Sequence, residues 1–171
     1  MSARHTVIAT AALGPVTIVA TGEAVTGLYF RQHIRRPAVE RFGPEVSFVD
    51  DALLGEAVGQ MLEYLRGQRR RFELPLHPAG DEFQHRVWRE VAAIEYGTTS
   101  TYGQIARNLG DRVLAYRVGQ AVGANPLCMF VPCHRVIGAD GSLTGYAGGL
   151  RRKRALLELE EPAAVSAGRL F

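Results

Sequence analysis

The chain has 171 residues, is 47% hydrophobic and carries a formal net charge of +3, which suits one ordinary folded domain or two small ones sharing a boundary. No run approaches the roughly 18 apolar residues of a membrane span, and residues 1–10 lack the charged start and apolar block of a secretory leader, so the cytoplasm is the expected compartment. Two cysteines, Cys128 and Cys133, are too few for a disulfide framework or a four-ligand zinc site, and with Lys153 as the only lysine the positive charge is almost all arginine, a side chain suited to phosphate.

Short strands are predicted at residues 5–10, 16–20 and 24–30, where period-two patterning and the turns Gly14-Pro15 and Gly22-Glu23 make an antiparallel meander. Over residues 51–65 the apolar side chains Leu54, Val58, Met61 and Leu65 recur at helical spacing, and either Asp50 or Asp51 can cap the helix. Residues 74–80 contain Pro75, Pro78 and Gly80 without periodicity, which predicts a linker between an N-terminal lobe, 1–78, and a C-terminal lobe, 79–171.

Beyond it, Phe83, Val87, Trp88 and Val91 mark a helix ending near Tyr96-Gly97. A shorter helix at 102–109 runs into Gly110, and Asp111 caps another at about 112–122, stopped by Gly123 and Pro126. The pair has the form of a helix-turn-helix, which serves DNA binding or plain core packing. A last helix spans 150–161, and the Ala-, Ser- and Gly-rich residues after Pro162 read as a loose tail. The fold class is α+β, with a small antiparallel-sheet lobe and a mainly helical one.

The chemistry concentrates in Val131-Pro132-Cys133-His134-Arg135-Val136. Proline stiffens the chain ahead of Cys133, which is expected to leave a strand end, and a nearby His134 or Arg135 cation would lower the thiol pKa. Neighbouring strand residues face opposite ways, so Cys133 and His134 communicate through a bridging water unless the chain turns between them. Glu160 shares a helical face with Leu156 and Leu157, and a buried carboxylate there needs a partner such as imidazole. On spacing alone, an inert buried Cys133, a structural His134 and a surface Glu160 remain open. Cys128, inside Leu127-Cys128-Met129-Phe130-Val131, reads as core strand.

With Asn125-Pro126 ahead of the cysteine motif and Gly145-Tyr146-Ala147-Gly148-Gly149-Leu150 behind it, the chain resembles the O(6)-alkylguanine-DNA alkyltransferases. Phe83-Gln84, Val87-Trp88, Tyr96-Gly97 and Thr101-Tyr102-Gly103-Gln104-Ile105-Ala106 extend the match over about residues 81–160. The resemblance implies direct reversal of damage: one alkyl group moves irreversibly from guanine O6 to Cys133, with no cofactor and no metal. It implies His134 as water-mediated base, Glu160 as the carboxylate orienting it, and Asn125 as a brace for the turn. Tyr102 would assist nucleotide flipping, the Cys133 and Val136 carbonyls would accept from the guanine amino group, the Ala147 amide would face O6, and Tyr146 would wall the pocket. Tyr116, Arg117, Thr101 and Gln104 are the DNA-binding candidates. The partner implied is double-stranded DNA holding alkylated guanine, with O(4)-alkylthymine as a second candidate substrate, bound through the minor groove by a chain that is monomeric when free.

One departure matters. The family commonly carries arginine first in its Arg-Ala-Val-Gly motif, as a finger inserted into the duplex, whereas this chain has Tyr116-Arg117-Val118-Gly119. Arg117 lies about 100° further around the helix and does not inherit the position. A smaller departure is Glu95, where a proline often precedes Tyr-Gly. Competing functions are a damage recogniser without transfer, against which Cys133 argues, a DNA-binding regulator, for which the chain is short, and a cysteine hydrolase, whose cysteine and histidine come from separate segments.

Overall fold

The computed structural model describes residues 2–161, so the stretch read as a tail after Pro162 lies outside the described residues. Strands β1 (Ala3–Thr10), β2 (Gly14–Thr21) and β3 (Ala24–Phe30) form an antiparallel sheet in that order. Val16, Ile18 and Ala20 alternate along β2 onto one face and are fully buried. Helix α1 (Ala52–Leu65) packs against the sheet. Of its two candidate caps Asp51 is the one used: its carboxylate accepts from the Leu54 amide and also pairs with Arg4 of β1 at 2.7 Å. Helix start and sheet edge are thereby fixed together.

The predicted linker is laid along the start of β3. The Val25 amide donates to the Pro75 carbonyl at 2.8 Å, and the His77 amide donates back to Val25 at 2.9 Å. β3 is an edge strand with unpaired backbone groups, which explains why a segment lacking periodicity still finds a fixed path.

Helix α2 (Glu82–Ala92) opens on a capping box, Asp81 accepting from the Gln84 amide and the Gln84 side chain accepting from Asp81. After β4 (Ser100–Thr101) come α3 (Tyr102–Asn108) and α4 (Ala115–Gly123). The single helix expected at 112–122 is in two pieces. Asp111 accepts from the Val113 amide only two residues on, so Arg112–Leu114 forms one tight 3-10 turn before α4 begins.

Trp88 of α2 donates its indole N–H to the Ala121 carbonyl of α4 at 2.8 Å, which seats the helix pair on α2. A short strand β5 (Val136–Ile137) pairs in parallel with β4, tying the segment just after Cys133 to the first residues of the pair. Helix α5 (Leu150–Glu160) closes the described chain. Among the described residues one apolar cluster joins Ile18, Leu28 and Met61 to Trp88, Val118 and Leu156.

Candidate active site and nucleic-acid interface

The segment 127–131, expected as core strand, is a buried turn. Asn125, itself buried, explains why: its Oδ1 accepts from the Leu127 amide at 2.9 Å and its Nδ2 donates to the Val131 carbonyl at 3.0 Å, taking groups a neighbouring strand would have used. Met129 sits at φ 76°, a conformation rare for a side chain of its size. Cys133 does not leave a strand end either. Pro132 has ψ 62°, and Cys133–Arg135 makes one 3-10 turn, with the Arg135 amide donating to the Pro132 carbonyl. A tight turn splays three consecutive side chains in different directions, and all three are buried.

Glu160, on the buried face of α5, collects two of their partners. His134 Nε2 lies 2.8 Å from Oε2, Arg135 Nε donates to Oε1 at 2.8 Å and Nη2 to Oε2 at 2.9 Å, and the Tyr64 hydroxyl of α1 donates to Oε2. Burial alone would raise the Glu160 pKa, but the bonds from His134 and Arg135 outweigh it and hold the group at about 2. Burial lowers the His134 pKa against the opposing pull of Glu160, so the ring is neutral at pH 7. With an ionised carboxylate at Nε2, the ring proton belongs there. Nδ1, buried and without a protein partner, is then a bare lone pair, the form a base requires.

Cys133 is 3% exposed and its Sγ lies 3.8 Å from Cys128 Sγ. The bond with Cys128 is the largest influence lowering its pKa, against burial, with Asn125 and the Lys153 ammonium acting the same way. Arg135 does not play the expected part, because its guanidinium is spent on Glu160 and on the Ile94 carbonyl. Lys153 donates to the Val136 carbonyl at 2.7 Å and to the Thr144 carbonyl at 3.0 Å, and burial lowers its pKa to about 8. It remains mainly protonated at neutral pH.

Lys153 and Tyr64 escaped the sequence reading. Lys153, Leu156 and Glu160 share one helical face at three- and four-residue spacing, a signal that was present. Tyr64 ends the apolar stripe of α1, and only the fold gives its hydroxyl a role.

Tyr146 is buried beside the two cysteines with its hydroxyl toward Cys128, consistent with a wall of the site. Ala147 is buried and its carbonyl accepts from the Ile34 amide. Gly148 lies against the Phe30 ring, where a Cβ would approach within 2.4 Å, so a larger residue would push this loop off the sheet. Val136 and Cys133 carbonyls already accept from Lys153 and the Val136 amide, each retaining a second lone pair. Tyr102 bonds Thr144 Oγ1 at 2.7 Å.

Thr101 caps α3 by accepting from the Gln104 amide, and Gln104 is exposed and bonds Asn108. Tyr116 is 77% exposed, while the exposed Arg117 rests its guanidinium 4.1 Å over the Phe83 ring. The fold thus gathers Cys133, His134, Glu160 and Asn125 into one buried cluster and leaves Gln104, Tyr116 and Arg117 at the solvent face of the helix pair. A cavity of about 600 Å³ bounded by Arg70, Tyr96, Phe130 and Arg135 adjoins the cluster, but Cys133 does not line it. Among the described residues no group of three or more His, Cys, Asp or Glu is arranged to hold a metal ion.

Residues 82–162 match the family model of the 6-O-methylguanine DNA methyltransferase DNA-binding domain. A methylated-DNA–protein-cysteine methyltransferase of Mycobacterium bovis is 42% identical over 93% of each chain. The chain belongs to this methyltransferase family. An inducible relative from Bacillus subtilis is 42% identical over 74% of this chain and 71% of its own. Among solved structures, Mycobacterium tuberculosis OGT in complex with DNA superposes with a TM-score of 0.83 at 41% identity over 92% of each chain. The O6-methylguanine DNA methyltransferase of Methanococcus jannaschii superposes at 0.65, with 30% identity over 90% of this chain and 92% of that one. The family model covers the cysteine turn, the helix pair and Glu160 together. Among the described residues no helix is long and apolar enough to cross a membrane.

Proposed function

We infer that this methyltransferase reverses alkylation of guanine in DNA by transferring the alkyl group to its own Cys133, once per molecule. The observation that carries the reading is the buried thiol on a rigid turn, followed immediately by an imidazole whose Nε2 is anchored to ionised Glu160 and whose Nδ1 is free to accept a proton. The family's relatives act on methylated DNA through a protein cysteine, and Cys133 is the cysteine held in this setting.

His134 takes the Cys133 proton through a bridging water, and Glu160 stabilises the imidazolium so formed. The Lys153 ammonium favours the thiolate. As the Sγ–carbon bond forms, the carbon–O6 bond breaks and its electron pair passes to guanine; the proton lost by the thiol is balanced by one gained at N1. The product is a thioether with no easy route back, so the molecule is consumed.

The target base has to leave the duplex to reach Cys133, which costs a few kcal/mol of stacking and pairing. We propose that the α3–α4 pair lies in the minor groove, that Thr101 and Gln104 face the backbone, and that Tyr116 stacks into the vacated step with Arg117 holding a phosphate. Tyr102 would steady the flipped nucleotide, within the pocket formed by Val136, Tyr146 and Ala147. The reaction needs a free thiol, and a reducing cytoplasm maintains one. The segment around residue 78 is the proposed boundary between lobes.

Intact mass before and after incubation with an O(6)-methylguanine duplex tests the core of this reading. A gain of one methyl, mapped to Cys133, is expected; no gain refutes it.

A further inference from the structure

We propose that Cys128 is a positioning residue for the transfer, its S–H turning to donate a hydrogen bond to the Cys133 thiolate. The proposal rests on Cys133 being the acceptor.

Residues five apart in a strand point to opposite faces. Here the turn through Met129 folds the chain back, Cys128 bridges Val131, and the two sulfurs meet at 3.8 Å with both side chains closed to solvent. In the neutral state the bonds run in one direction: Cys133 S–H donates to Cys128 Sγ, and Cys128 S–H donates to the Asn125 carbonyl at 3.9 Å. Ionisation of Cys133 removes the first donor and leaves a buried anion in need of one. Rotation about one Cys128 torsion exchanges a long bond to a carbonyl for a charge-assisted bond to sulfur.

Other groups face the pair. They are the Tyr146 hydroxyl, Lys153 from α5, Tyr29 from β3, and His134 in the same turn. The Asn125 side chain, held by Leu127 and Val131, also acts on Cys133, though less than Cys128 does. Among these neighbours Cys128 is a neutral group whose sulfur already sits 3.8 Å from that of Cys133, so that turning its S–H supplies the direction the thiolate needs. The opposed shifts of the two thiols, Cys133 down and Cys128 up, are those of an acceptor and its donor. Once Sγ of Cys133 has bonded the alkyl carbon it is a neutral thioether and a weak acceptor, and the Cys128 S–H returns to Asn125. Cys128 forms no covalent bond and keeps its proton throughout.

The test is the rate at which the full chain takes up the benzyl group from free O(6)-benzylguanine across pH, followed by intact mass, in wild type, Cys128→Ala and Cys128→Ser. Loss of the donor should raise the pH midpoint by about one unit, with about tenfold slower reaction well below it and equal rates above it. Serine, which keeps a donor, should restore the wild-type midpoint. An unmoved midpoint in Cys128→Ala, a uniform loss at every pH, or a serine variant behaving like alanine overturns the proposal. Cys128→Val, which also lacks a donor, replaces the alanine variant if that one does not fold. A wild type that takes up no label, or a labelled Cys133→Ala, is a different result and removes the acceptor assignment itself.

Discussion

Arg135 grips both carboxylate oxygens of Glu160 inside the protein, Nε to Oε1 at 2.8 Å and Nη2 to Oε2 at 2.9 Å, while the same carboxylate anchors His134. The proposed relay and a structural ion pair therefore share one side chain. Neither residue is more than 7% exposed, so the pair is shielded from water and cannot be broken cheaply.

Glu160→Gln leaves the Arg135 guanidinium buried without its counter-charge, and about 3–5 kcal/mol of stability should be lost. Urea unfolding at pH 7 measures this. At a temperature where the variant is folded, transfer should also slow for both duplex DNA and free O(6)-benzylguanine, since both substrates need the same thiolate. Unchanged rates with both would take Glu160 out of the relay while leaving its structural role.

Acid should weaken the fold through the same group. The folded pKa of about 2 lies below the ordinary 4.5, so between these values the unfolded chain binds more protons than the folded one. The contribution of Glu160 is complete above pH 4.5 and is lost as pH falls toward 2. Urea midpoints of wild type and Glu160→Gln should therefore converge across that window. A gap that stays constant would mean the carboxylate gains nothing from its ionised state.

Excess alkylated duplex should load at most about one alkyl group per protein, found on Cys133 and absent from Cys128, because the thioether does not turn over. Peptide mapping after reaction reads the position. Cys133→Ala should lose transfer completely and keep DNA binding, since the proposed phosphate and groove contacts come from other residues. Label on Cys128, or repeated turnover, would contradict the single-acceptor mechanism.

Tyr116 is a large aromatic side chain with little protein around it, so Tyr116→Ala should change stability by less than about 0.5 kcal/mol. Its proposed role is on DNA. A wedge predicts a large loss of rate with an alkylated duplex, a smaller one with single-stranded DNA, and almost none with free O(6)-benzylguanine. Equal loss on all three would assign Tyr116 to the pocket or the fold and end the wedge proposal.

The strands of the N-terminal sheet, the five helices and the helix pair were legible because each announces itself locally: alternation along β1–β3, helical spacing in α1 and α2, and caps such as Asp51 and Asp111; the two-residue strands β4 and β5 carry no such pattern and were not. The cysteine motif and its trailing glycines were equally local, and through the family resemblance they carry they pointed to alkyl transfer, which their spacing alone left open. Where local rules failed, a side chain had replaced a backbone partner. Asn125 turned an apolar run that reads as a strand into a turn, and Asp111 split one expected helix into two pieces.

The order of the elements and the presence of a thiol, an imidazole and a carboxylate were thus set by the sequence itself, through periodicity, caps and motif. Which groups meet was decided by tertiary structure. Tyr64 reaches Glu160 across 96 positions, Arg135 turns toward that carboxylate and away from the thiol, and Cys128 faces Cys133 only because the chain reverses between them. The reason is physical: a buried charge or thiolate takes its partners from whatever the packed core places within about 3–4 Å, and such distances are fixed by closure of the whole chain, which no local pattern records.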